Sequence, residues 1–143
     1  MRYYVLAGLL ILLIPCTVTD LRDRTLPAVF MAAFGVTAAA VNRIFGILSW
    51  TELLAGLLPG VFLLAAARLS KERIGYGDGV LFLAIGLLCG AGGTVTILFL
   101  SLVLLAGAGT VILLVRRKSM RTELPFAPFA LASALITFAA GGL

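Results

Sequence analysis

From Gly79 to Val115 the chain carries no Asp, Glu, Lys or Arg. As a single helix rising 1.5 Å per residue this run would be roughly 55 Å long, nearly twice the ~30 Å thickness of a bilayer's hydrocarbon core. The surrounding sequence rules out a soluble domain as its container: the 143 residues are 62% hydrophobic and only 12% charged, with a mean hydropathy of +1.20, far too apolar for water. The run is therefore expected to cross a membrane, turn and come back. Gly90-Ala91-Gly92-Gly93 is the place for the turn, which predicts a short fourth span ending near Gly90 and a longer fifth from Thr94 to Val115.

Four further apolar segments, Tyr3 to Thr19, Pro27 to Phe45, Thr51 to Leu69 and Phe126 to Gly142, bring the expectation to an all-α integral membrane protein, a six-transmembrane-helix bundle. No linker, charge block or repeat period interrupts it, so residues 1–143 read as a single transmembrane domain. The first segment has the flavour of a signal peptide but lacks a small-residue cleavage site before the next charges, and reads as a retained helix. The charges test the count independently. Six spans gather Arg22, Arg24, Arg68, Lys71, Arg73, Arg116, Arg117, Lys118 and Arg121 on one face and leave Arg2 and Arg43 on the other. Cytoplasmic loops are the ones enriched in Lys and Arg, so the first, third and fifth loops are assigned to the cytoplasm and both termini are extracytoplasmic. A single tilted helix in place of the fourth and fifth spans would move Arg116 to Arg121 to the opposite side and erase most of the asymmetry. The resulting localisation is the inner or plasma membrane, multi-pass.

Composition narrows the chemistry. The chain has no His, which removes a triad base and the commonest metal ligand and leaves carboxylates as the acid-base groups. Cys16 and Cys89 lie inside apolar runs and read as packing residues, with neither zinc-site nor disulfide spacing; no metal and no cofactor is expected. The formal charge of +5 comes from basic residues between apolar runs, not interleaved with aromatics, so topology accounts for it and nucleic acid is not an expected partner. Membrane lipid is.

Two of the six acidic residues are oddly placed. Asp20 terminates the first apolar run and Asp78 opens the fourth, inside Gly75-Tyr76-Gly77-Asp78-Gly79. Two crossings separate them, so both return to the cytoplasmic face and can meet there. The fourth span, Gly77 to Gly90, is only roughly 21 Å long if helical, so its start can lie below the membrane surface. An ionisable group in a span costs ~2.5 to 3.5 kcal/mol on insertion scales, and one that persists reads by default as functional. Two carboxylates approaching each other there repel, which favours one protonated and one ionised partner, the division that hydrolysis by an activated water requires. The structural alternative is that Asp20 caps a helix or pairs with Arg22 or Arg24, and that Asp78 caps the fourth helix. Gly75, Gly77 and Gly79 permit close backbone approach and positive φ, which suits an extended substrate strand beside the acid, although a plain turn accounts for one or two of them. Asp23 and Glu72 read as solvated loop charges.

These residues resemble the type IV prepilin peptidases, membrane aspartyl proteases with a GxGD motif. Three patches match in order: Asp20-Leu21-Arg22-Asp23-Arg24-Thr25-Leu26-Pro27, an Asp followed by basic residues and a hydrophobic-Pro pair; Gly75-Tyr76-Gly77-Asp78, the GxGD itself; and Leu124-Pro125-Phe126-Ala127-Pro128-Phe129, similar to the family's Pro-Phe-Gly-Pro segment. The resemblance runs from about Ile11 to Leu143. Ala28, Gly79-Val80 and Ala127 stand where the family often has Asn, Lys and Gly. The resemblance implies Asp20 and Asp78 as the catalytic pair, Gly75, Gly77, Pro125 and Phe126 as substrate-binding positions, and a prepilin-like protein as substrate, cut on the cytoplasmic side between its basic leader and its hydrophobic helix. It also implies a minimal peptidase core, without the cysteine-rich domain that accompanies methylation in larger members. Electrostatic steering does not favour a basic leader at a face rich in Lys and Arg, unless Glu72 and Glu123 supply local counter-charge.

Gly56-xxx-Gly60 and Gly86-xxx-Gly90 have the small-xxx-small spacing of close helix packing, or less often of a dimer seam. Pro59 is expected to kink the third span, Trp50, Tyr3 and Tyr4 to sit in the outer aromatic belt, and Pro125 and Pro128 to start the last helix. The rival reading is a non-enzymatic membrane transporter or assembly scaffold whose Asp20 and Asp78 bind a proton or cation, against which stands the lack of matching broken segments in two halves.

Overall fold

The computed structural model describes residues 2–70, 75–116 and 125–142. Among them the only regular elements are five α-helices: α1 (Arg2–Asp23), α2 (Ala28–Ile44), α3 (Trp50–Leu69), α4 (Tyr76–Arg116) and α5 (Ala127–Ala139). Three stretches, Tyr3–Asp23, Trp50–Leu69 and Tyr76–Ile112, are long and apolar enough to cross a membrane, while α2 and α5 are shorter apolar helices. The first, second, third and last expected spans correspond to α1, α2, α3 and α5, whereas the expected fourth and fifth spans form one element, α4, in which the residues of the expected turn after Gly90 are themselves helical. Lys71, Glu72, Arg73, Arg117, Lys118, Arg121 and Glu123 lie outside the described residues.

Local chemistry sets the helix ends. Within α1, Pro15 has no N–H to offer the preceding turn, and the Thr19 hydroxyl turns back to donate to the carbonyls of Pro15 and Cys16, each at 3.1 Å. The helix continues a turn beyond Asp20 and stops where Arg24 takes φ 52°, the left-handed conformation in which helices commonly terminate and which glycine adopts more readily. Ser49 caps α3: its hydroxyl accepts from the Glu52 N–H at 3.3 Å, and the Glu52 carboxylate accepts from the Ser49 N–H at 2.8 Å. This S-x-x-E capping box is visible in the sequence and was not among the features singled out above. The Arg43 guanidinium stacks over Trp50 at 4.6 Å, tying the end of α2 to the start of α3.

Every other helix packs on α4. Along its first part α3 runs antiparallel, with Gly79 against Leu64, Gly60 against Leu83, Gly56 against Gly86 and Gly90 facing Glu52. Both small-xxx-small pairs are thus spent on one intramolecular seam, where a Cβ on Gly86 would run into the backbone carbonyl of Gly56. On another side α2 runs parallel to α4, as Gly77 meets Leu26, Gly35 meets Ala84, and Asn42 reaches Leu87. The first helix is antiparallel again, with Gly8 against Leu88. The core they enclose includes Leu9, Leu12, Leu13, Met31, Phe82 and Ile85. Val29, Val36, Leu58, Phe62 and Phe99 point outward, a spread of exposed apolar side chains that suits lipid and not water. Cys16 and Cys89 are free and packed among apolar neighbours.

The charge-free run does not continue straight. Gly90 takes φ 71°, ψ −172° in the middle of α4, at the first residue of the expected turn. In a straight helix Phe82 and Ser101 would be about 28 Å apart, yet their partners on α5, Phe126 and Ser133, are only about 10 Å apart along that helix. The bend at Gly90 is what lets both halves of α4 reach α5. It also interrupts the hydrogen-bond ladder, and buried carbonyls there need other donors. The fully buried Asn42 supplies them, its Nδ2 donating to Leu87 O at 2.7 Å and Leu88 O at 3.3 Å, and the Thr94 hydroxyl donates to Gly90 O at 2.6 Å.

The seam yields a stability test. Gly86→Ala should destabilise the detergent-solubilised protein by about 1 to 3 kcal/mol, the usual cost of overpacking, whereas Gly107→Ala, with open space around its Cβ position, should stay within about 0.5 kcal/mol of the parent. Thermal unfolding of the two variants side by side checks this.

Candidate active site at the Asp20 and Asp78 end

The antiparallel course of α1 and the parallel course of α2 along α4 bring the end of α1, the α1–α2 connection and the start of α4 to one end of the bundle. Asp20 sits on the last full turn of α1 and Asp78 in the first turn of α4. The two carboxyl groups are close enough to act on each other electrostatically. Asp20 is buried, at 8% exposure, and Asp78 is half-buried. Arg22, Asp23 and Arg24 are exposed, and among the described residues neither aspartate forms an ion pair.

A backbone group holds Asp20. Its Oδ2 accepts the N–H of Ala127, the first residue of α5, at 2.9 Å. That donor is one of the orphans every helix leaves at its N-terminus, and Pro128, next along, has no N–H to share the task. The capping alternative is thus half right for Asp20: it does serve a helix terminus, but that of a helix more than a hundred residues away in the chain. Nothing at the level of residue pattern pairs Asp20 with Ala127. The only hint was that both lie in patches of one family resemblance.

Of the two uses expected of the glycines around Asp78, close approach is found and positive φ is not. None of Gly75, Gly77 and Gly79 takes a positive φ; the described glycines that do are Gly46, Gly90 and Gly141. Their use is close approach. A Cβ on Gly77 would press on Leu26 at 2.9 Å and one on Gly79 on Leu64 at 2.6 Å, which seats the start of α4 against the α1–α2 connection and α3. Gly75 is exposed, and its Cβ position lies 3.3 Å from Asp78 Oδ2, so a side chain there would crowd the carboxyl group. The Asp78 N–H donates to Gly75 O at 3.1 Å, closing the first turn. Phe126 is buried and packs its ring on Phe82, with centroids 5.8 Å apart, while Pro125 is half-buried at the edge. All six site residues expected from the sequence therefore gather at one end, with Gly77 and Phe126 in packing positions and Gly75 and Pro125 more open.

Two carboxyl groups with a shared field, one anchored and one more open, are the equipment for acid-base work on a water molecule. Among the described residues no cluster of three or more His, Cys, Asp or Glu is present that would hold a metal ion.

Comparison with known families matches residues 7–114 of this chain to the type IV leader peptidase family. That stretch includes Asp20 and Asp78 and stops short of Pro125. No curated protein and no solved structure gives a significant match.

The Asp20 anchor predicts an order of stabilities. Asp20→Ala leaves the Ala127 N–H buried without an acceptor and should cost about 1 to 3 kcal/mol, while Asp20→Asn keeps an acceptor oxygen and should cost less. Unfolding midpoints in one detergent decide it; equal losses for the two variants would mean that the bond contributes nothing.

Proposed function

The chain belongs to the type IV leader peptidase family, and from that membership we propose that it is an aspartic endopeptidase whose Asp20 and Asp78 cut the basic leader from prepilin-like subunits. What supports the reading is that Asp20, near the end of α1, and Asp78, in the first turn of α4, lie at one end of the bundle within electrostatic reach of each other, inside the residues that match the family. In the proposed reaction one carboxylate takes a proton from water as its oxygen attacks the scissile carbonyl carbon, and the other, protonated, gives a hydrogen bond and then its proton to the carbonyl oxygen. Collapse of the tetrahedral intermediate breaks the C–N bond, the amine leaves with the proton taken from water, and the second carboxyl group is reprotonated by the departing diol.

The substrate strand is proposed to lie along Gly75 and Pro125. Gly75 keeps the approach to Asp78 Oδ2 free of side chains, and Gly77 and Phe126 line the same end while fixing it against Leu26 and Phe82. The full topology is six spans in the cell's inner or plasma membrane with both termini extracytoplasmic and the aspartates at the cytoplasmic face. In its support, α4 breaks at Gly90, and nine of the 11 basic residues then share the side of the aspartates.

Co-expression with a prepilin in a host lacking its own leader peptidases tests the function. Parent protein should shorten the prepilin, and Asp20→Asn and Asp78→Asn should each lower the rate by at least about a hundredfold while still accumulating in the membrane. Undiminished cleavage by either variant would contradict the aspartyl mechanism.

A further inference from the structure

In the half of the bundle away from the aspartates, a groove separates α1 from α2. One wall is α1 from Tyr4 to Ile11, the other is α2 from Phe34 to Val41, and Leu88 of α4 lies between them against Gly8. Two turns of helix on each side make it roughly 10 Å long, and its nearer end is roughly 13 Å along α1 from Asp20. Ala7, Ile11 and Thr37 are exposed at its rims. The first helix meets α5 far more closely than it meets α2, so the groove lies on the less supported side of the helix that carries Asp20.

The groove offers nothing to a polar ligand. Its walls present no polar surface, and the Thr37 hydroxyl is spent on Ala33 O at 2.8 Å within its own helix. Size then decides among apolar occupants. A volume of about 190 Å³ over a length of roughly 10 Å leaves a mean section of roughly 19 Å², that of one extended hydrocarbon chain. A helix ~10 to 12 Å across needs ~80 to 110 Å², so neither a helix of another protein nor one of a second copy enters it. Hydrocarbon chains surround a bundle that crosses a membrane, and an unfilled groove forfeits the dispersion contacts of its walls.

We infer that this groove is a binding site for one acyl chain of a membrane phospholipid. The chain lies along α1 and α2 and supplies α1 with the packing contacts that α2 does not. The inference stands apart from the leader-peptidase reading, because it uses none of the residues placed at the Asp20 and Asp78 end.

Photo-cross-linking of the full chain in detergent micelles tests it. The probe is a phosphatidylcholine carrying a diazirine on one acyl chain, added in small molar excess over protein and competed with unlabelled phosphatidylcholine. Adducts located by mass spectrometry should concentrate between Tyr4 and Ile11 and between Phe34 and Val41, and should saturate at one lipid per chain. Ala7→Phe and Thr37→Phe fill the groove from opposite walls, and each should lower these adducts about tenfold as a ring takes the place of the chain. Val36→Phe, at an exposed position of α2 outside the groove, should leave them unchanged. Adducts spread over every exposed face without saturation would overturn the site, as would groove adducts that persist in both filling variants. The map and saturation of the parent protein decide the matter even where a filling variant does not fold.

Discussion

The side-chain carboxyl group of Asp20 and the N–H of Ala127 meet where the end of α1 reaches the start of α5, and the end of the molecule that carries the acidic pair is organised around that bond. It satisfies a buried donor that the start of α5 leaves over, and it fixes the side chain that would otherwise be the most costly group in the apolar interior. Because α5 is short and its second residue is a proline, few donors are available there, and Asp20 takes one of them. The same bond ties the end of α1 to α5, so that Phe126 can lie on Phe82 and α5 can span the two halves of α4.

Elsewhere the bundle follows the same economy of polar atoms. The break at Gly90 is closed by Asn42 and Thr94. The second half of α4 is held to α5 by a hydroxyl pair, Ser101 and Ser133, at 2.6 Å. Where no polar partner is needed the helices approach closely instead, through Gly56 and Gly86. Without a hydrophobic driving force between helices in lipid, small residues and shared hydrogen bonds are what remain to specify the packing.

Much of this was legible in the sequence. The limits of α1, α2, α3 and α5 followed from apolar runs and from Pro27 and Pro125, while the turn expected over Gly90 to Gly93 between two separate spans is instead a single departure from helical geometry at Gly90 within α4. The Ser49–Glu52 capping box was readable and overlooked. Asn42 was visible as a lone amide in an apolar helix, but its partners lie 45 residues on in the chain and only tertiary packing names them. The same holds for Ala127, whose side chain carries no information because its backbone does the work. The positive φ expected near Asp78 was absent because close approach to Leu26 and Leu64, not a tight turn, is what excludes side chains from Gly77 and Gly79.

The proposed chemistry requires Asp20 and Asp78 to share one site in the membrane-embedded chain. Its most direct test is thiol cross-linking of a protein carrying Asp20→Cys and Asp78→Cys, with Cys16→Ala and Cys89→Ala removing the native thiols, in native membranes with a short bifunctional maleimide. A single linker consuming both thiols of one chain is the expected product by mass spectrometry. Two thiols that each accept a monofunctional maleimide yet never join through the linker would contradict it.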